Sequence, residues 1–270
     1  MGLPTIDLDK RIGMRSAALA IQPSAEKAFD AAERLIVALD FASAREATEM
    51  VDRLGSAVSF YKIGLHLLFA EDISWLEFLK GLRDRGKRIF LDFKWIDINS
   101  SIEGVIAGAA RLRIEFATVY QSPLAIQAAK NARSSFPTPK ILTVTLLTDR
   151  DQEYLKKHYN WQKSVSDFVV EKAIVVKDAG GDGVICSPNE VGAIRSVIGK
   201  EPFLIVTPGI RPEWSEEGGH KRAGTPTTAI INGADYLVVG RPIIRQKDAR
   251  GAADKVIDEM RTAFEMREDC

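Results

Sequence analysis

Eight short apolar runs recur along the chain, separated by amphipathic segments of about 10 to 15 residues. The runs occupy residues 34–41, 57–64, 88–93, 116–120, 140–147, 182–186, 202–208 and 235–240. Near-continuous apolar strands are typical of a parallel sheet that helices cover on both faces. Eight such units in 270 residues predict an α/β chain folded as a single (β/α)₈ TIM barrel. A doubly wound open sheet is the alternative, because a linear pattern does not show closure.

Charge and cysteine content exclude several classes of protein. The 37 Lys and Arg residues balance 37 Asp and Glu residues, so no net field attracts nucleic acid or an anionic membrane. No apolar run approaches the roughly 18 residues of a membrane span. Only Cys186 and Cys270 occur, which supports neither a disulfide framework nor a cysteine-rich metal site. We therefore expect a cytoplasmic protein without nucleic-acid or membrane partners.

The chain begins well before its first apolar run. We predict an N-terminal extension over residues 1–33 and a barrel domain over residues 34–270. The extension mixes acidic and basic residues and has no apolar core typical of a secretion signal. An organellar transit peptide is an alternative for this stretch, because Arg11, Arg15 and Ser16 precede a short alanine-rich segment.

Two segments interrupt the alternation of runs and helices. Residues 149–164 are polar and aromatic without a clear period, which predicts an extended loop between a strand and a helix. Residues 209–224 combine proline, glycines and charges after the seventh run, and loops of this length are often lids. Gly209 is expected to permit the turn into this lid.

Charged residues stand at the ends of the first three runs. Asp40 closes the first, Lys62 lies near the end of the second, and Asp92 and Lys94 end the third. In a barrel these ends share the rim where active sites are built. Asp92 and Lys94 are two residues apart and therefore face the same side, provided that the strand reaches residue 94. A purely structural ion pair there would stabilise little, so we favour a functional role. Asp97 lies beyond the strand and is predicted to point toward this site or a neighbouring subunit.

The last two runs carry the features of an anion site. Residues 207–212, "TPGIRP", follow the seventh run, and residues 238–242, "VVGRP", end the eighth. Barrels commonly bind phosphate at these two loops. Arg241 can bind an oxyanion with two parallel hydrogen bonds, and Gly240 would let the backbone approach it closely. Arg211 is a second candidate, with a solvated loop charge as its alternative.

Five motifs in this order make the chain resemble the orotidine 5′-phosphate decarboxylase family. They are "LIVALDF", "YKIGLHL", the D-x-K-x-x-D pattern of Asp92, Lys94 and Asp97, "TPGIRP" and "GADYLVVGRPI". The resemblance runs from Arg34 to the C-terminal helix. It implies a homodimer with shared active sites that converts orotidine 5′-monophosphate to uridine 5′-monophosphate in pyrimidine synthesis, without a metal or a cofactor.

The resemblance also implies a role for each site residue. The catalytic array would be Lys62, Asp92, Lys94 and Asp97, with Lys94 protonating carbon 6 and Asp97 entering the partner's site. The implied binding residues are Asp40 and Lys62 for the ribose, Ser101 at the dimer interface, Thr148 for the pyrimidine, and Arg211, Gly240 and Arg241 for the phosphate. His220 stands where the family has a glutamine that contacts the phosphate and the pyrimidine. Histidine can still donate one hydrogen bond there.

Two other functions stay open from the sequence. The first is a magnesium-dependent sugar-phosphate decarboxylase or aldolase with a similar barrel and a D-x-K-x-x-D-like motif. Those enzymes resemble one another in placing an acidic metal ligand on the second strand, where this chain has Lys62. The second is a non-catalytic nucleotide-binding barrel, which the changes at Ser101 and His220 motivate. An array of buried charges without a function would lower stability, which argues against it.

Overall fold

A computed structural model describes residues 30–199, 202–215 and 222–268, and residues 1–29 of the predicted extension lie outside the described residues. Eight parallel strands follow one another around a closed barrel. They are β1 (Leu35–Ala38), β2 (Phe60–Ile63), β3 (Arg88–Trp95), β4 (Phe116–Val119), β5 (Lys140–Val144), β6 (Gly183–Ile185), β7 (Leu204–Thr207) and β8 (Tyr236–Val239). Because β1 pairs with β8 as well as with β2, the barrel closes. The predicted (β/α)₈ fold is confirmed, and the open sheet is wrong.

Helices connect the strands on the outside of the barrel. They are α1 (Ala44–Leu54), α2 (Trp75–Asp84), α3 (Asn99–Arg111), α4 (Pro123–Arg133), α5 (Gln152–Tyr159), α6 (Val165–Asp178), α7 (Val191–Ile198), α8 (Pro226–Ile231), α9 (Arg241–Ile244) and α10 (Ala249–Glu268). Local chemistry sets their ends, as in α1, where the Ser43 hydroxyl accepts the N–H of Glu46 and Gly55 ends the helix at φ 54°. None of these helices is both long and apolar enough to cross a membrane.

Aromatic rings fill the lower interior of the barrel. The rings pack edge to face with centroids 5.0 to 6.0 Å apart, and they belong to Phe60, Phe90, Phe116 and Tyr236. All four side chains are buried, within a cluster separate from the larger one between strands and helices. The interior is therefore a packed core rather than a pore, and it forms the floor of the carboxyl end.

The interior layer above the rings is polar. Side chains two residues apart on a strand face the same way, so the residues that follow these rings by two also face the interior. On β2, β3 and β4 those residues are Lys62, Asp92 and Thr118. The strand period thus brings a cation, an anion and a hydroxyl together above the aromatic floor.

The segment over residues 149–164, predicted as an extended loop, contains the helix α5. The Asp151 side chain caps its start by accepting the N–H of Tyr154 at 3.0 Å. Asn160 ends it in the left-handed conformation, at φ 50°. The prediction was wrong because Leu155 is the only buried residue of α5, so no apolar period marks the helix.

The two ends of the predicted lid meet at its base. Gly209 adopts φ 80°, which is the turn expected of it. The N–H of Gly224 donates to the carbonyl of Gly209 at 3.3 Å, and the N–H of Arg211 donates to the carbonyl of Gly224 at 2.8 Å. Residues 216–221 lie outside the described residues, so a lid stays a prediction.

Candidate active site

A cavity of about 240 Å³ opens at the carboxyl end of the barrel. Its walls include eight of the residues that the sequence singled out. They are Asp40, Lys62, Asp92, Lys94, Thr148, Arg211, Gly240 and Arg241. The eight come from loops or strand ends at β1, β2, β3, β5, β7 and β8, so the fold brings together positions that lie far apart in sequence.

Four of these side chains form a chain of alternating charge. The Lys62 ammonium lies 3.1 Å from Asp40 Oδ1 and 3.7 Å from Asp92 Oδ2, and the Lys94 ammonium lies 2.8 Å from Asp92 Oδ1. Only 13% of the Lys62 and Asp92 side chains is exposed, against 50% for Asp40 and 40% for Lys94. The middle of the array is therefore desolvated, whereas the Lys94 end opens into the cavity.

The backbone of Lys94 is left-handed, at φ 52°. The register between β3 and β4 shifts between Leu91 and Trp95, so the strand reaches residue 94 but not as a regular pleat. A non-glycine residue in this region is strained and persists only where its surroundings hold it. Here the N–H of Lys94 donates to the Thr118 hydroxyl at 2.8 Å. The bulge directs the Lys94 side chain onto Asp92.

Thr118 is a site residue that sequence reasoning missed. It is fully buried, and its hydroxyl donates to Asp92 Oδ1 at 3.3 Å while accepting the N–H of Lys94. One hydroxyl thus fixes both members of the central ion pair. A threonine in an apolar strand is common and gave no signal alone. Its position two residues after Phe116, level with Lys62, is the signal that could have found it.

Two arginines line the cavity at the ends of β7 and β8, across the barrel from Lys94 on β3. Burial, and then the positive charge of Arg241, lower the pKa of the Arg211 guanidinium. This shift indicates that the two guanidinium groups repel each other in a partly desolvated site, and a bound anion would relieve the repulsion. Gly240 precedes Arg241, the first residue of α9, and also lines the cavity. The wall is suited to a compact anion such as a phosphate.

Cys186 also lines the cavity, below its polar rim. Its side chain is 1% exposed, and burial raises the pKa of the thiol well above its ordinary value. Because the thiolate is the nucleophilic form, this cysteine is a packing residue rather than a nucleophile.

Comparison with known proteins identifies the family. Residues 33–256 match the family model described as "Orotidine 5'-phosphate decarboxylase / HUMPS family". The chain belongs to this family. It is 42% identical over 228 residues to the orotidine 5′-phosphate decarboxylases of Jannaschia sp. (strain CCS1) and Ruegeria pomeroyi. These alignments cover 84% of the chain and 98% and 94% of those proteins.

A solved structure from the same family has the same fold. The crystal structure of orotidine 5′-phosphate decarboxylase from Lactobacillus acidophilus superimposes with a TM-score of 0.73 at 32% sequence identity. The match covers 84% of this chain and 99% of that one. Family membership therefore spans the whole barrel rather than one motif.

Three residues named from the family resemblance are not among the described residues that line the cavity. Asp97 is exposed, and its carboxylate accepts the N–H of Ile98 at 2.7 Å. Ser101 lies in the first turn of α3, partly buried. His220 lies outside the described residues. The roles expected of all three stay predictions.

The donor set of the cavity bears on metal binding. Within residues 30–199, 202–215 and 222–268, no group of three or more His, Cys, Asp or Glu side chains is arranged to hold a metal ion. At the place where the magnesium-dependent alternative needs an acidic ligand on β2, the Lys62 ammonium lies beside Asp92. A cation at this carboxylate would have to displace Lys62 and Lys94.

Proposed function

We propose that the chain decarboxylates orotidine 5′-monophosphate to uridine 5′-monophosphate, a step of pyrimidine nucleotide synthesis. Its family relatives carry the name of this activity over 84% of the chain. The observation that carries the proposal is the Lys94 ammonium, held 2.8 Å from Asp92 in a cavity whose opposite wall presents two arginines. An ammonium and an anion-binding wall in one cavity match a substrate with a reacting carbon at one end and a phosphate at the other.

In the proposed reaction, the bond between carbon 6 and the carboxyl carbon breaks and its electron pair stays on carbon 6. Carbon dioxide leaves, and the resulting carbanion has no good electron sink in the ring. A fixed ammonium beside carbon 6 stabilises the developing negative charge. Lys94 then donates a proton to carbon 6, acting as a general acid. The neutral amine regains a proton from solvent before the next turnover.

Asp92 has two proposed tasks. It holds the Lys62 and Lys94 ammonium groups in place, since one of its oxygens accepts a hydrogen bond from Lys94 and the other forms an ion pair with Lys62. It also lies close to the departing carboxylate, so that repulsion between the two anions falls as carbon dioxide leaves. The charge needed for this chemistry comes from Lys94 itself, and none of the steps requires a metal or a cofactor.

Contacts with the rest of the substrate are proposed from the family resemblance, and all the residues concerned except His220 line the cavity. Asp40 and Lys62, which lie 3.1 Å apart, would bind the ribose hydroxyls. Thr148 would contact the pyrimidine, and the phosphate would lie against Arg211 and Arg241. The further phosphate contacts proposed are the backbone at Gly240 and the side chain of His220.

We further propose a homodimer in which Asp97 enters the partner's site and Ser101 lies at the interface. Support comes from the apolar side chains that flank Asp97, since Ile96 is 71% exposed and Ile98 is 70% exposed. Two such neighbouring residues at the rim indicate a surface that another chain covers. Each cavity would then receive the Asp97 carboxylate from the other protomer, which completes the predicted catalytic array with Lys62, Asp92 and Lys94.

At the level of the whole chain, we propose a catalytic domain over residues 34–270, preceded by an extension over residues 1–33. A cytoplasmic location is proposed because two cysteines in 270 residues indicate no disulfide framework. Residues 31–34 form a 3₁₀ turn that contacts α10, so the last residues of the extension pack against the barrel.

Incubation of the purified protein with orotidine 5′-monophosphate tests the proposal, with substrate and product separated by chromatography. We expect uridine 5′-monophosphate to form at the same rate with and without a chelator of divalent metals. Loss of turnover with the chelator would favour the magnesium-dependent alternative. Nucleotide binding without turnover would favour the non-catalytic alternative.

A further inference from the structure

A buried ion pair lies behind the cavity wall. Arg222 Nη1 lies 2.7 Å from Glu190 Oε2, and both side chains are at most 8% exposed. Neither residue lines the cavity. Glu190 belongs to the loop after β6, and Arg222 belongs to the far end of the loop after β7. The pair therefore joins two neighbouring loops at the carboxyl end of the barrel without lining the cavity that would hold the substrate.

The same guanidinium reaches a third loop. Arg222 Nη2 donates to the carbonyls of Leu146 and Leu147 at 3.3 and 2.9 Å. Both leucines line the cavity and directly precede Thr148, which lines it as well. Arg222 thus holds the backbone of the proposed pyrimidine wall. Besides its ion pair with Glu190, the guanidinium therefore bonds the backbone of this third loop, and its planar N–H groups have fixed directions that an ammonium does not reproduce.

Arg222 is also tied to the proposed phosphate wall. Two residues further along, Gly224 exchanges backbone hydrogen bonds with Gly209 and Arg211 at 3.3 and 2.8 Å. A Cβ at Gly224 would lie 2.7 Å from Pro188 Cβ, so the chain here lies directly on the loop that carries Glu190. A short, closely packed path therefore connects the backbone of Arg211 to that of Leu147.

We propose that Arg222 and Glu190 are positioning residues, which hold the pyrimidine wall at Leu146–Thr148 in register with the phosphate wall at Arg211. The proposal rests on the proposed function and deepens it. A buried ion pair is a poor stabiliser compared with apolar residues of similar volume, so a pair that links three loops is better explained by geometry than by stability. The phosphate binds far from the reacting carbon, so its binding energy speeds the reaction only if it helps to orient the pyrimidine. The pair would transmit phosphate binding to the pyrimidine.

The test compares orotidine 5′-monophosphate with the nucleoside that lacks the phosphate. We expect Arg222→Met to lower kcat/KM for the nucleotide by about 100-fold, the size of effect that a misplacement of about 1 Å can have. The nucleoside uses no phosphate contact, so its kcat/KM should change far less. Arg222→Lys should recover only part of the loss. An equal fall for both substrates would overturn the proposal.

Two further variants separate positioning from stability. The double variant Glu190→Leu with Arg222→Met replaces the ion pair by apolar residues. Its denaturation midpoint should return from that of Arg222→Met toward that of the wild type. The ratio of kcat/KM for the nucleotide to kcat/KM for the nucleoside should stay as low as in Arg222→Met. Arg195→Met is the matched control, because Arg195 bonds Asp235 at 2.6 Å near the start of β7 and β8, away from the cavity. It should lower stability and leave the ratio of the two kcat/KM values unchanged. A double variant with wild-type kinetics would refute the role.

Binding measurements keep the test valid if the chain has no decarboxylase activity. The ratio of the dissociation constants of uridine 5′-monophosphate and uridine reports the same coupling without turnover. If the wild type binds the nucleotide but does not react, the proposed function fails, and the ratio still decides whether Arg222 couples the two walls. A ratio that Arg222→Met leaves unchanged would contradict the coupling.

Discussion

Asp182 at the amino end of the barrel and Asp92 at the carboxyl end each pair with two cations, and both side chains are about equally buried, 15% and 13% exposed. Asp182 lies 2.8 Å from Lys130 and 2.9 Å from Arg133, and it also accepts the N–H of Ile141 at 2.7 Å. It therefore ties α4 to β5 and β6 through two side chains and one backbone N–H. Its bonding capacity is used within the fold.

Asp92 bonds only side chains in the described part of the chain, namely those of Lys62, Lys94 and Thr118. The Lys94 side chain in turn faces the cavity from a strained backbone. The comparison of the two carboxylates shows that neither burial nor the number of paired cations distinguishes a structural charge from a functional one. The difference is that Asp182 also bonds a backbone group of the fold, whereas Asp92 bonds side chains alone, one of which, Lys94, is open to a ligand.

Replacing the lysine at each end gives the largest expected contrast. Lys94→Ala should lower kcat for orotidine 5′-monophosphate by about 10⁴-fold or more, because it removes both the electrostatic stabilisation and the proton donor. Lys130→Ala is the matched control and should change kcat by less than roughly twofold, since residues at the amino end act on stability. Steady-state kinetics of both variants measure the contrast. Near-normal turnover of the Lys94 variant would remove the basis of the mechanism.

Replacing the two aspartates should have opposite effects: the Asp92 variant should lose mainly activity, and the Asp182 variant should lose mainly stability. Asp92→Asn should lower kcat by about 10²- to 10³-fold, since an amide does not hold two ammonium groups in place. Asp182→Asn should leave kcat nearly unchanged but destabilise the fold by about 3 kcal/mol, because two partly buried cations lose their partner. Denaturant unfolding and kinetics on both variants give the comparison. If both variants lost only stability, Asp92 would be structural as well.

The arginine wall gives a smaller effect that depends on the substrate. Arg241→Ala should lower kcat/KM for the nucleotide by about 100-fold, through loss of a charge-assisted contact with the phosphate. The nucleoside without phosphate should react with both proteins at similar kcat/KM. Arg133→Ala, at the amino end, should lower stability without separating the two substrates. A loss that is equal for both substrates would show that Arg241 does not bind the phosphate.

The sequence predicted the strands and singled out eight of the residues that line the cavity, and one physical reason explains both. Charges inside apolar runs are rare, so Lys62 and Asp92 stood out, and parallel closure of the strands brings such positions together. The pattern held no information on the left-handed backbone of Lys94. That conformation depends on a register shift against β4 and on a bond from Thr118.

The missed residues share a different reason. Thr118 and Arg222 are of types that are ordinary where they occur, a threonine in a strand and an arginine in a charged loop. Their importance comes from partners far away in sequence, since Thr118 bonds Asp92 and Arg222 bonds Leu147, 75 positions away. Contacts of this kind are set by tertiary structure, and no local pattern predicts them.

Asp72 gives the smallest expected effect in the comparison of structural and functional carboxylates. It lies in the loop between β2 and α2, at the carboxyl end of the barrel, yet it bonds the backbone as a structural residue does. Its carboxylate accepts the N–H groups of Arg45 and Ala44 and the hydroxyl of Ser43, at the start of α1. These bonds, that from Arg45 foremost, lower the pKa of Asp72 from its ordinary value of 3.8 to about 2. Its contribution to stability is therefore complete above about pH 4 and is lost as the pH falls toward 2.

We expect Asp72→Asn to be slightly less stable than the wild type at pH 6 and to approach the wild type as the pH falls below 4. The carboxylate of Asp72 is protonated at a lower pH in the folded state than in the unfolded state. Acid therefore removes a contribution to the free energy of unfolding that the amide of the variant never makes. Denaturation midpoints of both proteins at pH 6, 5, 4 and 3 measure the convergence, and kcat/KM at pH 7 should be unchanged. A stability gap that stays constant with pH would mean that the backbone bonds do not favour the charged form. A fall in kcat/KM instead would show that partnership with backbone groups does not mark a charge on this rim as structural, which is the distinction that Asp182 and Asp92 suggest.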